Sequence, residues 1–382
     1  MKLDTRLSDL ERTVSLCIRD GMCTYGTWPE NQPICSIYSR HRVYTASGGG
    51  LVYLVRALAE NKIDCTPTMA EYAYECPLCE ACDMCEIIPV APPHATPSEV
   101  IRFLRHQLVQ QDAIPEGIRE LYKRIKEKEA YEVERQDLMV PESIRDERAS
   151  TVLFLEGKQN RGDHLSYQSA IRIFEKMGEH LTVFNQGPSG YDLYDLGFWD
   201  ELDLVLQQNK EELRKLDGKT VVFLDPHSQE FMTKRYPQIT SEKLNIEARH
   251  LSEVLSKGFK DGKLRPKGEG VTISYHDPCR LSRGLGIYDA PRELLSMVGV
   301  ELVEMKRAKE NTYCCGTGGR YPAYPDFSDW VAAERIREFE DTGAELLITA
   351  CPHCREQFKR ALGSEQSDRI KDLFEFVEWR TE

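Results

Sequence analysis

The sequence predicts an α+β multidomain protein, in which a mostly helical N-terminal part precedes two duplicated α/β halves built on parallel sheets. Apolar residues recur at helical spacing within residues 47–62 and 96–112. After residue 150, short apolar runs end at Gly, Asp or Pro and alternate with helical stretches, which is typical of parallel sheets. The thirteen cysteines lie before residue 90 or after residue 275. The chain therefore has two cysteine-rich regions and a cysteine-free middle.

These patterns divide the chain into four segments. We expect a helical domain over 1–125, a charge-dense linker over 126–149, an α/β repeat without cysteines over 150–268 and a cysteine-containing α/β repeat over 269–382. In the helical domain, Ser98 is predicted to cap the second helix. The predicted strands lie in "STVLFLEG", "HLTVFNQG", "KTVVFLDP", "GVTISYHDP", "VELVEMK" and "AELLITACP".

The two α/β halves share an internal repeat. Asp225-Pro-His-Ser228 in the first half corresponds to Cys351-Pro-His-Cys354 in the second, and Asn185-Gln186 corresponds to Cys314-Cys315. The sequence therefore predicts a duplication in which only the second copy has kept its thiols.

Charge and composition exclude several classes of protein. The formal net charge of −13 argues against nucleic acid or an anionic membrane as the main partner. No apolar run is long enough for a membrane-spanning helix, and the charged start has no signal-peptide pattern. We expect a cytoplasmic location, with attachment to the inner face of the membrane through a partner subunit as an alternative. Stable disulfides are not expected in that reducing compartment, so the cysteines indicate metal binding or thiol chemistry.

The C-terminal cysteines follow apolar runs that should be strands. Because the ends of parallel strands meet at one edge of a sheet, five thiolates should converge there. Gly316, Gly318 and Gly319 would let the backbone approach a bulky group that those thiolates hold. Structural zinc takes four ligands and would leave one cysteine over, so a zinc site or buried structural thiols are the less favoured alternatives. The five candidate ligands are Cys279, Cys314, Cys315, Cys351 and Cys354.

The pattern "C…CCGTGG…CPHC" resembles the cysteine-rich CCG domain of heterodisulfide reductase B- and D-type subunits. The same domain occurs in iron-sulfur subunits of glycolate, lactate and anaerobic glycerol-3-phosphate oxidising systems. The resemblance covers roughly residues 150–382. It implies that the five cysteines hold one noncubane-type [4Fe-4S] cluster.

The N-terminal cysteines resemble a two-cluster ferredoxin domain, which precedes CCG domains in the same families. Such domains hold two [4Fe-4S] clusters, and the last cysteine of each run ligates the other cluster. The resemblance implies one cluster on Cys17, Asp20, Cys23 and Cys85. It implies a second cluster on Cys76, Cys79, Cys82 and Cys35.

The N-terminal pattern departs from that family in three places. Asp20 stands where a cysteine is usual, Ser36 replaces the proline after Cys35, and the second run is one residue short. An aspartate can complete a cluster, so this site could also hold a [3Fe-4S] form. Cys65 has no assigned role and is either a half-buried thiol near a helix end or a substitute ligand for Asp20.

These features together predict an iron-sulfur electron-transfer subunit of a multi-subunit oxidoreductase in anaerobic metabolism. The sequence has no flavin or nicotinamide fingerprint, and "SGGG" at 47–50 is better interpreted as a helix start than as a phosphate-binding loop. The expected partners are a flavoprotein, a quinone-reactive membrane subunit or a soluble redox complex. One alternative is a catalytic subunit that reduces a heterodisulfide at the C-terminal cluster, and another is a zinc-stabilised scaffold.

Overall fold

A computed structural model describes residues 14–17, 21–25, 32–85, 96–127, 138–156, 163–185, 188–268, 270–318 and 323–382. The chain forms two compact units. The first unit comprises 1–131, 190–204 and 310–332, and the second comprises 132–189, 205–309 and 333–382. Among the described helices, none is both long and apolar enough to cross a membrane.

The described α-helices are numbered in chain order. They are α1 (Met22–Tyr25), α2 (Ser36–His41), α3 (Gly48–Ala59), α4 (Pro67–Glu75), α5 (Pro97–Gln110), α6 (Glu116–Lys126), α7 (Asp163–Met177), α8 (Tyr191–Leu196), α9 (Trp199–Arg214), α10 (Pro226–Glu230), α11 (Tyr236–Thr240), α12 (Leu251–Lys260), α13 (Asp289–Met297), α14 (Pro325–Asp341), α15 (Pro352–Leu362) and α16 (Leu373–Trp379). Short 3₁₀ turns occur at Ala81–Met84, Lys309–Asn311 and Ser367–Arg369, and short π-helical segments occur at Phe231–Arg235 and Arg280–Gly284.

The first unit is helical in its described part. Ser47 caps α3 by accepting a hydrogen bond from the Gly50 N–H at 3.0 Å. The prediction that Ser98 caps the next long helix is wrong, because α5 begins at Pro97 and its N-cap is Thr96. Proline suits the first helical position, since it has no N–H to leave unpaired. Ser98 instead donates through its hydroxyl to the Asp83 carboxylate at 2.6 Å.

The second unit contains two four-stranded parallel sheets. The first sheet has the order β2-β1-β3-β4 and the second has the order β6-β5-β7-β8. The strands are β1 (Thr151–Phe154), β2 (Thr182–Phe184), β3 (Thr220–Phe223), β4 (Glu247–His250), β5 (Thr272–His276), β6 (Glu301–Leu302), β7 (Leu346–Thr349) and β8 (Ile370–Asp372). The predicted parallel α/β architecture is confirmed, and the two sheets have corresponding strand orders.

One hydrophobic core joins the two sheets of the second unit. It includes Leu153 and Val222 from the first sheet and Ile273 and Ile348 from the second. In each sheet, the apolar residues of the two central strands are almost completely buried. This burial explains why continuous apolar runs predicted them.

Candidate metal centres

The N-terminal cysteines of the first unit are buried or half-buried thiols. Cys17 and Cys85 are half-buried, whereas Cys23, Cys35, Cys76, Cys79 and Cys82 are buried. Asp20 lies outside the described residues. Cys76 is the C-cap residue of α4, and the following loop takes left-handed backbone angles at Leu78 (φ 50°) and Glu80 (φ 62°). Such angles are unfavourable for residues other than glycine and persist where the surroundings enforce them, often at functional sites.

Several of the buried thiols lie close enough to raise the pKa of one another. Burial raises the pKa of Cys35, and the thiols of Cys76 and Cys79 raise it further. Burial likewise raises the pKa of Cys82, with further increases from Asp83, Cys76, Cys79 and Cys23. Burial and mutual repulsion therefore disfavour the thiolate forms, and the iron of a thiolate-bound cluster would supply the positive charge that stabilises them.

The start of helix α3 packs directly against two of these cysteines. A Cβ atom on Gly48 would lie 2.5 Å from the Cys82 Cβ, and one on Gly49 would lie 2.7 Å from the Cys23 Sγ. The backbone N–H groups of Gly48 and Gly49 also donate hydrogen bonds to the thiols of Cys35 and Cys23, and these bonds lower the pKa of each acceptor. The "SGGG" segment is therefore a helix start, as predicted, and it also brings backbone donors to cysteines of both predicted N-terminal sites.

Arg105 holds the loop that begins at Cys76. Its buried guanidinium donates to the carbonyls of Cys76 at 2.5 Å, Ala73 at 2.9 Å and Asp195 at 2.7 Å. Burial lowers the pKa of Arg105. Arg102, one helical turn before it, forms ion pairs with Glu99 and Asp195 at 2.7 Å each. These contacts fix the cysteine loop to α5 and to the segment 190–204.

In the second unit, two neighbouring strands each lead to C-terminal cysteines. Strands β5 and β7 pair in parallel, and Cys279 follows β5 while Cys351 follows β7. Cys351 is the N-cap residue of α15, and Cys354 lies in the first turn of that helix. All three thiols are buried.

Cys314 and Cys315 are buried and belong to the first unit. The Gly316 N–H donates to the Cys314 Sγ at 3.3 Å. Gly316 has a φ of 96°, and a Cβ there would lie 2.8 Å from both the Ser328 carbonyl oxygen and the Val331 Cβ. Glycine is therefore required immediately after the cysteine pair, as its backbone angle and its packing both exclude a side chain.

Asp225, His227 and His353 lie together in the second unit. The His227 Nδ1 is 3.0 Å from the Asp225 Oδ1, and the His353 Nε2 is 3.6 Å from the Asp225 Oδ2. The two imidazole rings meet edge to face with centroids 4.9 Å apart. The Cys351 Sγ lies 4.0 Å from the His227 Nδ1. The group thus adjoins one of the predicted cluster ligands.

Charge pairing dominates the protonation of this group. Burial alone would lower the pKa of His353, but Asp225 raises it to about 9, and the same carboxylate raises the pKa of His227 well above its ordinary value. Burial would raise the pKa of Cys351, but hydrogen bonding from Cys354 and the nearby His227 outweigh burial and lower it to about 5. The thiolate form of Cys351, which is the form that ligates metal, is therefore favoured at neutral pH.

Residues 273–359 match the family model for the cysteine-rich domain named CCG. The chain carries a CCG cysteine-rich domain. The resemblance predicted from the "CCGTGG" and "CPHC" motifs is confirmed.

Curated relatives extend this similarity beyond the CCG domain. The chain is 30% identical over 248 residues to the D-type subunit of the dihydromethanophenazine:CoB–CoM heterodisulfide reductase of Methanosarcina mazei, covering 62% of this chain and 61% of the relative. It is 31% identical to the EtfAB:quinone oxidoreductase of Syntrophomonas wolfei, covering 46% of this chain and 26% of the relative. It is 29% identical to the probable iron-sulfur-binding oxidoreductase FadF of Bacillus subtilis, covering 66% of this chain and 37% of the relative. The matched region thus spans 61% or less of the length of each of these relatives.

A solved structure has a similar fold. The crystal structure of a hypothetical protein from Helicobacter pylori aligns with a TM-score of 0.53 at 12% identity, covering 98% of this chain and 72% of that protein.

Sequence reasoning missed the contact between the glycine run and the cysteines, and it missed that Asp225, His227 and His353 lie together. The glycine contacts join residues more than twenty positions apart, so no local pattern reports them. The second omission had a signal in the sequence, since a histidine occupies the same place in both halves, at His227 and His353.

Proposed function

We propose that this protein is an iron-sulfur electron-transfer subunit of a multi-subunit oxidoreductase. The observation that carries the proposal is the burial of Cys23, Cys35, Cys76, Cys79 and Cys82 in one helical unit, in a chain that also carries a CCG domain. Several redox centres without a flavin fingerprint suit a chain that passes electrons between partners.

Two ferredoxin-type [4Fe-4S] clusters would occupy the first unit. The thiols fit such clusters, because they are desolvated, lie near one another and receive backbone N–H groups from Gly48 and Gly49. Hydrogen bonds to cluster sulfurs and thiolates are among the factors that set the reduction potential. We assign one cluster to Cys17, Asp20, Cys23 and Cys85 and the other to Cys76, Cys79, Cys82 and Cys35, as the family pattern implies.

A third, noncubane-type [4Fe-4S] cluster would be held by the CCG motif. We propose Cys279, Cys314, Cys315, Cys351 and Cys354 as its ligands. The burial of all five thiols and the lowered pKa of Cys351 support this assignment.

The relatives support the class of partner. One is named a subunit of a heterodisulfide reductase and another an oxidoreductase that acts between EtfAB and quinone. We therefore propose that this chain works with a flavoprotein and with either a quinone-reactive membrane subunit or a soluble redox complex. We also propose that the two α/β halves arose by duplication, which their corresponding strand orders support.

Metal and sulfide analysis of anaerobically purified protein tests the proposal. Three clusters should give about 12 irons with a matching amount of acid-labile sulfide. Cys76→Ser and Cys351→Ser should each remove about four irons. Cys65→Ser should leave the iron content unchanged, because Cys65 is a half-buried thiol outside the proposed ligand sets, and loss of iron would identify it as the substitute for Asp20. Colourless protein that contains zinc without sulfide would contradict the proposal.

Disulfide reduction separates electron transfer from the catalytic alternative. The first half has Asp225 and Ser228 where the second has cysteines, so it lacks the thiols for a second cluster. We expect electron transfer from a reduced viologen dye to the clusters without turnover of thiol disulfides. Sustained disulfide turnover that Cys351→Ser abolishes would identify the chain as a reductase instead.

A further inference from the structure

The two halves of the second unit place matching side chains at the starts of two helices. Helix α10 begins after β3 and follows Asp225, while α15 begins after β7 and follows Cys351. Proline is the first residue of both helices, and the histidine follows it in both. His227 and His353 therefore approach the same carboxylate from corresponding positions in the two halves.

The spacing of the donor atoms suits one small cation. One ligand atom from each of Asp225, His227 and His353 lies within 4.8 Å of the other two. The shortest measured separation is 3.0 Å, between the His227 Nδ1 and the Asp225 Oδ1. In a tetrahedral zinc site, the ligand atoms are about 3.4 Å from one another. The most widely separated pair of the three donor atoms would therefore need to move only slightly closer together.

The charges around Asp225 also favour a cation. The Asp225 side chain is 2% exposed, and the carboxylate of Glu156 is buried nearby. The Ser228 hydroxyl lies 2.5 Å from the Glu156 Oε2 and 3.3 Å from the Asp225 Oδ2. Glu156 also accepts from the Ser189 N–H at 2.7 Å, and Asp225 accepts from the His227 N–H at 3.0 Å, so both carboxylates are held in place. A bound divalent ion would displace the protons that the two imidazoles hold and would itself balance the charge of the two buried carboxylates.

We propose that Asp225, His227 and His353 bind one divalent transition-metal ion of the zinc or ferrous type. Two imidazole nitrogens and one carboxylate oxygen form a donor set that suits either ion and leaves coordination positions open. Glu156 and Ser228 would orient Asp225, as hydrogen-bonded groups behind a ligand commonly do. The site would lie between the Asp225-Pro-His-Ser228 segment of the first half and the CPHC motif of the second half, with Cys351 beside it.

Metal binding by the full chain tests this site. The anaerobically purified protein should be depleted of loosely bound ions and titrated with Zn²⁺ or, in a parallel sample, with Co²⁺. We expect one equivalent of either ion to bind in addition to the sulfide-matched iron. Iron in excess of sulfide that Zn²⁺ displaces would identify the ferrous ion as the native occupant, whereas tightly held zinc in the purified protein would identify zinc.

Matched variants separate this site from the clusters. Asp225→Asn and His227→Gln should each weaken Zn²⁺ binding by more than about tenfold and leave iron and sulfide unchanged. His180→Gln is the control, because His180 is an exposed histidine of the same unit. Equal Zn²⁺ binding in all four proteins, or no binding by the wild type, would overturn the proposal.

X-ray absorption at the zinc edge of the wild-type protein gives a second readout that needs no variant. We expect a nitrogen and oxygen coordination shell with two imidazoles. A shell dominated by sulfur would show that the ion occupies a cysteine site, and the proposal would then be wrong. Loss of clusters from the wild type would be visible separately as missing sulfide, so failure of the proposed electron-transfer function and failure of this site are distinguishable.

Discussion

Substitution of Gly48 by alanine should disrupt one N-terminal iron-sulfur site through a single added methyl group. The new Cβ would lie 2.5 Å from the Cys82 Cβ and 2.9 Å from its Sγ. Carbon atoms in contact are ordinarily about 3.5–4.0 Å apart, so Cys82 or the start of α3 must move by about 1 Å. Overpacking of this kind typically costs about 1–3 kcal/mol. An iron–thiolate bond has little tolerance for such a shift.

The assay is iron and sulfide content together with the thermal midpoint of unfolding under anaerobic conditions. We expect Gly48→Ala to lose about four irons and to unfold at a lower temperature than the wild type. Gly258→Ala is the matched control, because Gly258 lies within helix α12 and its added Cβ would meet the flexible Met177 side chain at 2.6 Å. That variant should keep all its iron, since the thioether can rotate away. Full iron content and an unchanged midpoint in Gly48→Ala would refute the packing argument.

Three further predictions concern the cysteine sites and one buried carboxyl. Cys315→Ser should remove the C-terminal cluster and leave both ferredoxin-type signals in electron paramagnetic resonance, whereas loss of all signals would show that the sites are interdependent. Mild oxidation should produce a three-iron signal that Asp20→Cys suppresses, and an unchanged signal would remove Asp20 from the ligand set. Burial raises the pKa of Asp372 from 3.8 to about 6, so the folded state binds its proton more tightly and the free energy of unfolding falls as pH rises through that range. Asp372→Asn should therefore be more stable than the wild type at pH 7.5, by up to about 3 kcal/mol, with a smaller gain at pH 5, as measured by thermal unfolding.

The central strands of the second unit could be predicted because they are buried on both faces. Val221, Val222 and Phe223 form a continuous apolar run, and so do Leu346, Leu347 and Ile348 in the other half. The edge strands β4 and β8 could not be predicted this way. Glu247 and Arg249 of β4 remain partly in solvent, and β8 has only three residues, so neither strand carries an apolar pattern.

The cysteine motifs predicted the family correctly, because metal ligands must come at short, regular spacings. Such spacings could not predict to which of the two compact units each segment of the chain belongs. The cysteine pair at 314–315 groups with the helical first unit by its contacts, although it lies between strands β6 and β7 of the second half in the sequence. The prediction that Ser98 caps α5 was wrong for a local reason, because Pro97 is already the first residue of the helix.

The discontinuous make-up of the first unit has a consequence for how the protein is synthesised. Arg105 and Tyr74 both donate to backbone carbonyls in the segment 190–204, at Asp195 and Leu196. The ribosome makes residues 1–131 long before that segment, at about 5–20 residues per second. The cysteine loop at Cys76 therefore lacks part of its support until some sixty further residues have emerged. We expect iron insertion to follow translation of that segment, and nascent chains halted at residue 131 should retain less iron than chains halted after residue 332.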